Sequence, residues 1–249
     1  MQIDLNADLG EGGAFDRELL SLDSSANISC GAHAGNEATI SRAIELALEH
    51  KVRIGAHPSY PDRDNFGRLP MQLSFASLRD HLLSQLDSLQ TIAAKHMAVL
   101  SHIKPHGALY NQLAKDIRLA EHVTAIVKEF NPQLTVVGMA GGYFLQVAKH
   151  EGLSTLSEVF ADRRYQSDGS LVPRDKSNAM IVDSDEAVAQ SLQLVCQKQV
   201  RSVDGQLVPV QADTLCIHGD SSMALIFAQK LHQRFTQEGI SIAALIKAH

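Results

Sequence analysis

Short apolar runs alternate along this chain with segments whose apolar residues recur every three or four positions, and that alternation is the strongest constraint on its fold. The runs cover 3–5, 26–30, 52–56, 97–103, 134–139, 156–160, 179–182 and 214–217. Between them Ile40, Ala43, Ile44, Ala47 and Leu48 share a helical face, as do Leu78, Leu82, Leu86 and Leu89, and later Met223, Ile226, Phe227, Leu231 and Phe235. The pattern predicts repeated βα units, because nearly continuous apolar strands joined by crossover helices belong to parallel sheets covered on both faces. A closed barrel and an open doubly wound sheet both satisfy it. Asn36, Ser74 and Asp220 each precede a periodic segment, where a side-chain oxygen would cap exposed N–H groups.

The regularity breaks between 162 and 213. There "SDGSLVP" and "SVDGQLVP" each set Asp-Gly before a short apolar run, which predicts turns or hairpins decorating the main fold, with a helix near 184–199 between them. No linker or low-complexity tract divides the chain, so 1–249 is expected to form one α/β domain around one large core.

Composition excludes several classes of function. A formal charge of −6 and the absence of any Lys/Arg block offer no basic field to nucleic acid. No apolar run approaches the ~20 residues that span a bilayer, and no charged start leads into an apolar stretch, so a cytoplasmic protein without membrane contact is expected. Cys30, Cys196 and Cys216 form no CxxC pair, which argues against a disulfide framework and a structural zinc knuckle. Each reads as a small buried hydrophobe, with Cys30 alone close to polar residues. Gly10, Gly12 and Gly13 lack the spacing of a dinucleotide fingerprint, and Gly-Lys never occurs, so no conventional phosphate-cradling loop is present.

Polar residues gather where the apolar runs end. The first run leads into "DLNADLGEGG" with Asn6, Asp8 and Glu11, the second into "CGAHAGNE" with His33, and the third into "GAHPSYPDRDNFGR" with His57, Asp62 and Arg68. The fourth leads into "IKPHGALYN" with Lys104 and His106, and the last into "CIHGDS" with His218 and Asp220. Parallel α/β folds carry their chemistry at such strand exits, so these groups could meet in one pocket. Each also has a structural alternative: Asn6 and Asp8 could satisfy loop amides, His57 before Pro58 could be a hydrogen-bonded structural histidine, and Asp220 could only cap a helix. Lys104 differs, because a lysine entering a turn from a core strand must find solvent, a carboxylate or a ligand. Together they suit hydrolysis better than redox chemistry, with histidines and carboxylates to move protons and cations to stabilise negative charge. A divalent metal is a further option, held by Asp8 with two of His33, His57 and His106.

Six stretches carry a resemblance to the LamB/YcsF family: "IDLNADLGEG" at 3–12, "SSANISCGAHAGN" at 24–36, "IGAHPSYPDRDNFGR" at 54–68, "HIKPHGALYN" at 102–111, "EVFADRRYQSDGSLVPR" at 158–174 and "VRSVDGQLVPVQADTLCIHGD" at 200–220. The resemblance implies an irregular (β/α) TIM-like barrel of about seven strands, similar to the polysaccharide deacetylase barrel. It implies ATP-dependent 5-oxoprolinase activity, the hydrolysis of the cyclic amide 5-oxoproline (pyroglutamate) to L-glutamate, in a multi-subunit complex with partner subunits B and C. Since the chain has no recognisable ATP cradle, ATP use is expected mainly on the partners. On this basis Asp8 and His57 would handle the water proton, Lys104 and Arg68 would stabilise negative charge, and His106 or His218 would protonate the ring nitrogen. Asn6, Glu11, His33, Arg68, Arg163, Tyr165 and Asp220 would bind substrate. Family members usually read C-G-F-H-A-G-D where this chain has Ala32 and Asn36, so an aromatic wall and a carboxylate are absent. Two other readings stay open: a metal-dependent, deacetylase-like hydrolase acting without ATP, and a non-catalytic subunit that presents ligand to a partner. Homo-oligomerisation stays open with them.

Overall fold

The first strand sets the pattern. In β1 (Gln2–Leu9) the period of two puts Ile3, Leu5, Ala7 and Leu9 on one face and Asp4, Asn6 and Asp8 on the other. The structure, a computed structural model, describes residues 1–217 and 222–245. After β1 the strands run β2 (Ser25–Ser29), β3 (Arg53–His57), β4 (His102–Ile103), β5 (Thr135–Met139) and β6 (Thr155–Phe160), each paired in parallel with the one before. A hairpin of β7 (Gln199–Arg201) and β8 (Leu207–Pro209) follows, and then β9 (Thr214–Cys216). Strand β9 pairs in parallel with both β6 and β1 and so closes the ring. The short β10 (Ser241–Ile242) adds to the start of β1, which leaves seven strands in the closed barrel.

Helices connect the strands: α1 (Asp16–Leu20), α2 (Glu37–Glu49), α3 (Phe75–Lys95), α4 (Gly107–Leu113), α5 (Ile117–Phe130), α6 (Tyr143–His150), α7 (Ser184–Gln197) and α8 (Ser222–Gln237). The apolar faces of the strands pack against them, as at Gly10, where an added Cβ would meet Ile28 and Ala43. Two predicted caps form as the residue types require. The Asn36 side chain accepts from Ala38 and Thr39 N–H at 3.0 and 3.1 Å, and Ser74 Oγ accepts from Ser77 N–H at 3.2 Å. Such a cap is worth about 1 kcal/mol. Asp220 lies outside the described residues.

Two predicted strands differ. Of 97–103 only His102 and Ile103 are strand, because Met97 and Ala98 close the end of α3, donating to Ala94 and Ala93 carbonyls at 3.1 and 3.0 Å. Met97 takes a left-handed φ of 56° and is 91% exposed, so its apolar character is not a mark of burial here. The run 179–182 contributes one antiparallel bridge, Met180 with Arg163, inside the segment between β6 and β9. Both Asp-Gly turns are present in that segment, with Gly169 and Gly205 at φ 82° and 80°. No helix among the described residues is long and apolar enough to cross a membrane.

Candidate active site

Because the apolar faces are used against the helices, the polar faces meet inside the barrel. Lys104, directly after β4, reaches across it. Its Nζ lies 2.7 Å from Glu158 Oε1, 2.9 Å from Asp8 Oδ1, 3.1 Å from Asn6 Oδ1 and 3.2 Å from Cys216 Sγ. An ammonium has three hydrogens, so these contacts leave none for a ligand. Lys104 is also only 3% exposed. Burial opposes its charge, but Asp8 and then Glu158 outweigh burial and hold its pKa well above the ordinary value. Asn27 braces the same carboxylate, donating from Nδ2 to Asp8 Oδ1 at 2.9 Å and to Asn6 Oδ1 at 2.8 Å. Asn6 in turn donates to Thr214 Oγ1 at 2.7 Å, and Thr214 donates to Asp4.

Above this network stand three histidines and a glutamate. His57 ends β3, while Glu11, His33 and His106 follow β1, β2 and β4. The His33 and His106 rings stack with centroids 3.9 Å apart, and His57 meets both edge-on. Two glycines let the chain pass over the stack. At Gly67, φ +65°, a Cβ would stand 3.0 Å from His106 Cδ2 and from His33 Cβ; at Gly107, φ +58°, it would stand 2.4 Å from Gly67 O.

The polarity of the surrounding hydrogen bonds fixes what each ring nitrogen offers. His57 Nδ1 donates to Lys104 O at 2.7 Å and His106 Nε2 donates to Phe66 O at 2.9 Å, since a carbonyl can only accept. Ser59 Oγ gives its hydrogen to Tyr60 O and therefore accepts from His33 Nδ1 at 3.0 Å. All three outward nitrogens are donors, so in neutral rings the inward nitrogens carry lone pairs. His33 Nε2 lies 2.9 Å from Glu11 Oε1, and His57 Nε2 lies 2.9 Å from His106 Nδ1 and 3.2 Å from Asp8 Oδ2. Acceptors facing acceptors need a cation between them. In the metal-free protein a proton on His57 Nε2 supplies it for Asp8 and His106 but not for the contact of His33 with Glu11; burial opposes the charge on His57, but Asp8 outweighs burial and raises its pKa. Burial, reinforced by the charge of His57, lowers His33 to about 3 and His106 to about 2.

The same donor set fits a divalent metal. One ligand atom each from Glu11, His33, His57 and His106 lies within 4.8 Å of the others. Three imidazoles and a carboxylate suit Zn²⁺ or a similar ion, and ligating histidines typically donate their outward N–H to a carbonyl or carboxylate, as two of these do to carbonyls. Glu11 takes the place expected for Asp8, which stands beside the group because Lys104 and Asn27 hold its other oxygen. Proton and metal are alternatives at His57 Nε2.

The barrel thus brings together Asn6, Asp8, Glu11, His33, His57, Lys104 and His106. Arg68 stands at the edge: its guanidinium lies 4.9 Å over the Phe66 ring, its charge is felt at His33, and it lines a cavity of about 300 Å³ with Asn111 and Lys115. A larger cavity of about 730 Å³, by α7, is lined by none of these residues. Arg163 and Tyr165 lie in the segment after β6, where Arg163 donates to Val172 O at 2.7 Å and Tyr165 Oη accepts from Phe160 N–H at 2.8 Å. His218, like Asp220, lies outside the described residues. Asn36 spends its amide on the cap of α2, away from the histidines. Sequence reasoning missed Asn27, Glu158 and Cys216, and did not place His102 in the interior network. The strict alternation in "DLNADL" and "SANISC" is the signal that could have found Asn27, as one member of a polar face.

The LamB/YcsF family model matches residues 3–249. The A subunit of a 5-oxoprolinase from Haemophilus influenzae (strain PittEE) is 51% identical over 243 residues, covering 98% of this chain and 99% of the relative. The crystal structure of a lactam utilization protein from Thermus thermophilus superposes with a TM-score of 0.91 at 38% identity, covering 98% of this chain and 100% of that one. A family 4 carbohydrate esterase from Streptomyces lividans shares the fold alone, with a TM-score of 0.56 at 10% identity over 98% of this chain and 92% of that one.

Proposed function

This chain belongs to the LamB/YcsF family, and from that premise we propose that it is the A subunit of an ATP-dependent 5-oxoprolinase, hydrolysing the ring amide of 5-oxoproline to L-glutamate. The names of its relatives support the substrate. The observation that carries the chemistry is the convergence of Asp8, Glu11, His33, His57 and His106 at one mouth of the barrel.

Lactam opening needs a nucleophilic water, relief of amide resonance and a proton for the departing ring nitrogen. Asp8 is placed to move the protons. Lys104 and Asn27 hold Oδ1, so Oδ2, 3.2 Å from His57 Nε2, is the working atom, and the side chain is 15% exposed against 3% for Lys104. Asp8 Oδ2 accepts the proton of the attacking water and hands it to the ring nitrogen as the C–N bond breaks. Lys104 then serves by holding the charge of Asp8 in place. Arg68 and Lys115, at the adjoining cavity, suit the substrate carboxylate. A divalent metal held by Glu11, His33, His57 and His106 would polarise a carbonyl or a bound water.

With no phosphate-cradling loop in this chain, phosphorylation of the amide oxygen falls to subunits B and C, which make phosphate the group later expelled. A need for ATP would favour the cytoplasm as the site of the reaction. The test is to measure glutamate and ADP together for the chain alone, for the chain with B and C, and for Asp8→Asn in the full mixture. Coupled release only in the wild-type mixture is expected, and stoichiometric ATP-dependent glutamate release by the chain alone overturns the division of labour. The metal-type donor set favours one second reading, amide hydrolysis without ATP. Glutamate formed without ADP by the metal-loaded chain alone would establish it.

A further inference from the structure

His102 lies in β4, fully buried at 0% exposure. Its Nε2 is 3.0 Å from Asn27 Oδ1, and its Nδ1 is 3.1 Å from Ser101 Oγ. The Asp8 carboxylate can only accept, so the Asn27 amide must turn its NH₂ toward Asp8 and Asn6. Asn27 Oδ1 then faces His102, so His102 carries its hydrogen on Nε2 and its Nδ1 accepts from Ser101 Oγ, whose other acceptor, Ile54 O at 2.9 Å, already takes the Ser101 N–H at 2.8 Å. The ring is neutral, burial having lowered its pKa to about 3. Room for it is made by Gly55 in the neighbouring strand: a Cβ there would fall 2.2 Å from His102 Cδ2 and Nε2.

We infer that His102 is a positioning residue for the hydrolysis, setting the orientation of the Asn27 amide and through it the placement of Asp8. The inference rests on the proposed proton-transfer role of Asp8. Without an N–H at this point Asn27 Oδ1 is left buried without its donor, and the amide is held only by the Asp8 and Asn6 oxygens that it serves. The effect falls on turnover, because Asp8 moves protons in the transition state and does not hold the ground-state substrate.

Turnover is measured with the complete mixture of subunits. His102→Gln keeps an N–H donor near the Nε2 position and should retain turnover within about threefold. His102→Leu should lower kcat by on the order of tenfold to a hundredfold at unchanged KM, with a native circular dichroism spectrum. Asn27→Leu should lower kcat similarly, and the double variant should be no worse than Asn27→Leu, since both act through one path. Equal turnover of His102→Leu and wild type, equal losses in the Gln and Leu variants, or multiplying losses in the double variant would each overturn the inference. Should His102→Leu fail to fold, the ring ¹⁵N spectrum of the wild-type chain decides: the Nε2–H tautomer is required, and the Nδ1–H tautomer refutes it. Wild-type mixtures that make no glutamate would instead count against the proposed activity, and the tautomer would still be read independently.

Discussion

His33 and His106 lie face to face, their ring planes 3° from parallel and their centroids 3.9 Å apart, although they come from loops after different strands. Two imidazolium ions could not stack this closely in a buried site, and both rings are held neutral, His33 at about 3 and His106 at about 2, by burial first and then by the charge of His57. Stacking directs the lone pairs of both rings to one spot, where His57 and Glu11 also point. The site is therefore organised to receive a single cation.

If that cation is exchangeable, Zn²⁺ binding to the chelator-treated chain should expel the proton of His57. Calorimetry in buffers of different ionisation heats should show close to one proton released per metal, and affinity should fall as pH falls, since the two cations compete. Glu11→Gln should weaken binding by at least tenfold. No proton release, with affinity independent of pH, would sink the shared-spot reading.

Lys104→Met should destabilise the fold by roughly 3–5 kcal/mol, because it leaves Asp8 and Glu158 buried without their shared cation. Adding Glu158→Gln should recover part of the loss. Urea unfolding measures both; a Lys104→Met midpoint equal to wild type would show that the ion pairs do not support the barrel.

Arg68→Gln and Lys115→Gln should each raise KM for 5-oxoproline several-fold and leave kcat nearly unchanged, if the cavity they line receives the substrate carboxylate. Binding of a neutral five-membered lactam should not change. Equal effects on the acid and the neutral lactam would assign these residues to something other than the carboxylate.

Removing a buried neutral histidine should make the metal-free protein less sensitive to acid. His33, His102 and His106, with folded values of about 3, 3 and 2, stay neutral while the unfolded chain takes up protons near 6.5. Their contributions are thus present above pH 6.5 and lost as pH falls, at about 1.4 kcal/mol per pH unit for each. Asp4, raised to about 6 by burial, and Asp16 and Asp23, also raised by burial, work the other way on acidification. The raised His57 adds nothing to the slope there, since its contribution is complete below the unfolded value. His102→Gln removes one of the three histidine contributions, so its stability should fall less steeply on acidification than that of the wild type, by up to about 1.4 kcal/mol per unit. Urea midpoints of wild type and His102→Gln at pH 6, 5 and 4 check this; equal slopes in the two proteins contradict it.

The succession of strands and helices was legible in the sequence because it rests on local features: apolar periodicity, the caps at Asn36 and Ser74, and the Asp-Gly turns. So was the gathering of Asn6, Asp8, Glu11, His33, His57, Lys104 and His106 at strand exits, since parallel strands carry their exits to one end. The inward partners were not legible. Which face of "DLNADL" looks into the barrel depends on where the helices lie. That Lys104 meets Glu158 and Cys216 depends on β9 inserting between β6 and β1, which brings together groups as much as 210 positions apart. Likewise the choice of Glu11 over Asp8 as the carboxylate of the histidine cluster follows from Lys104 and Asn27 having taken Asp8 first. Sequence determines which residue types reach one end of the barrel, through forces that act between near neighbours in the chain. Only closure of the barrel decides which of them touch, because hydrogen-bond and ion-pair partners are set by angstroms across the interior and not by separation along the chain.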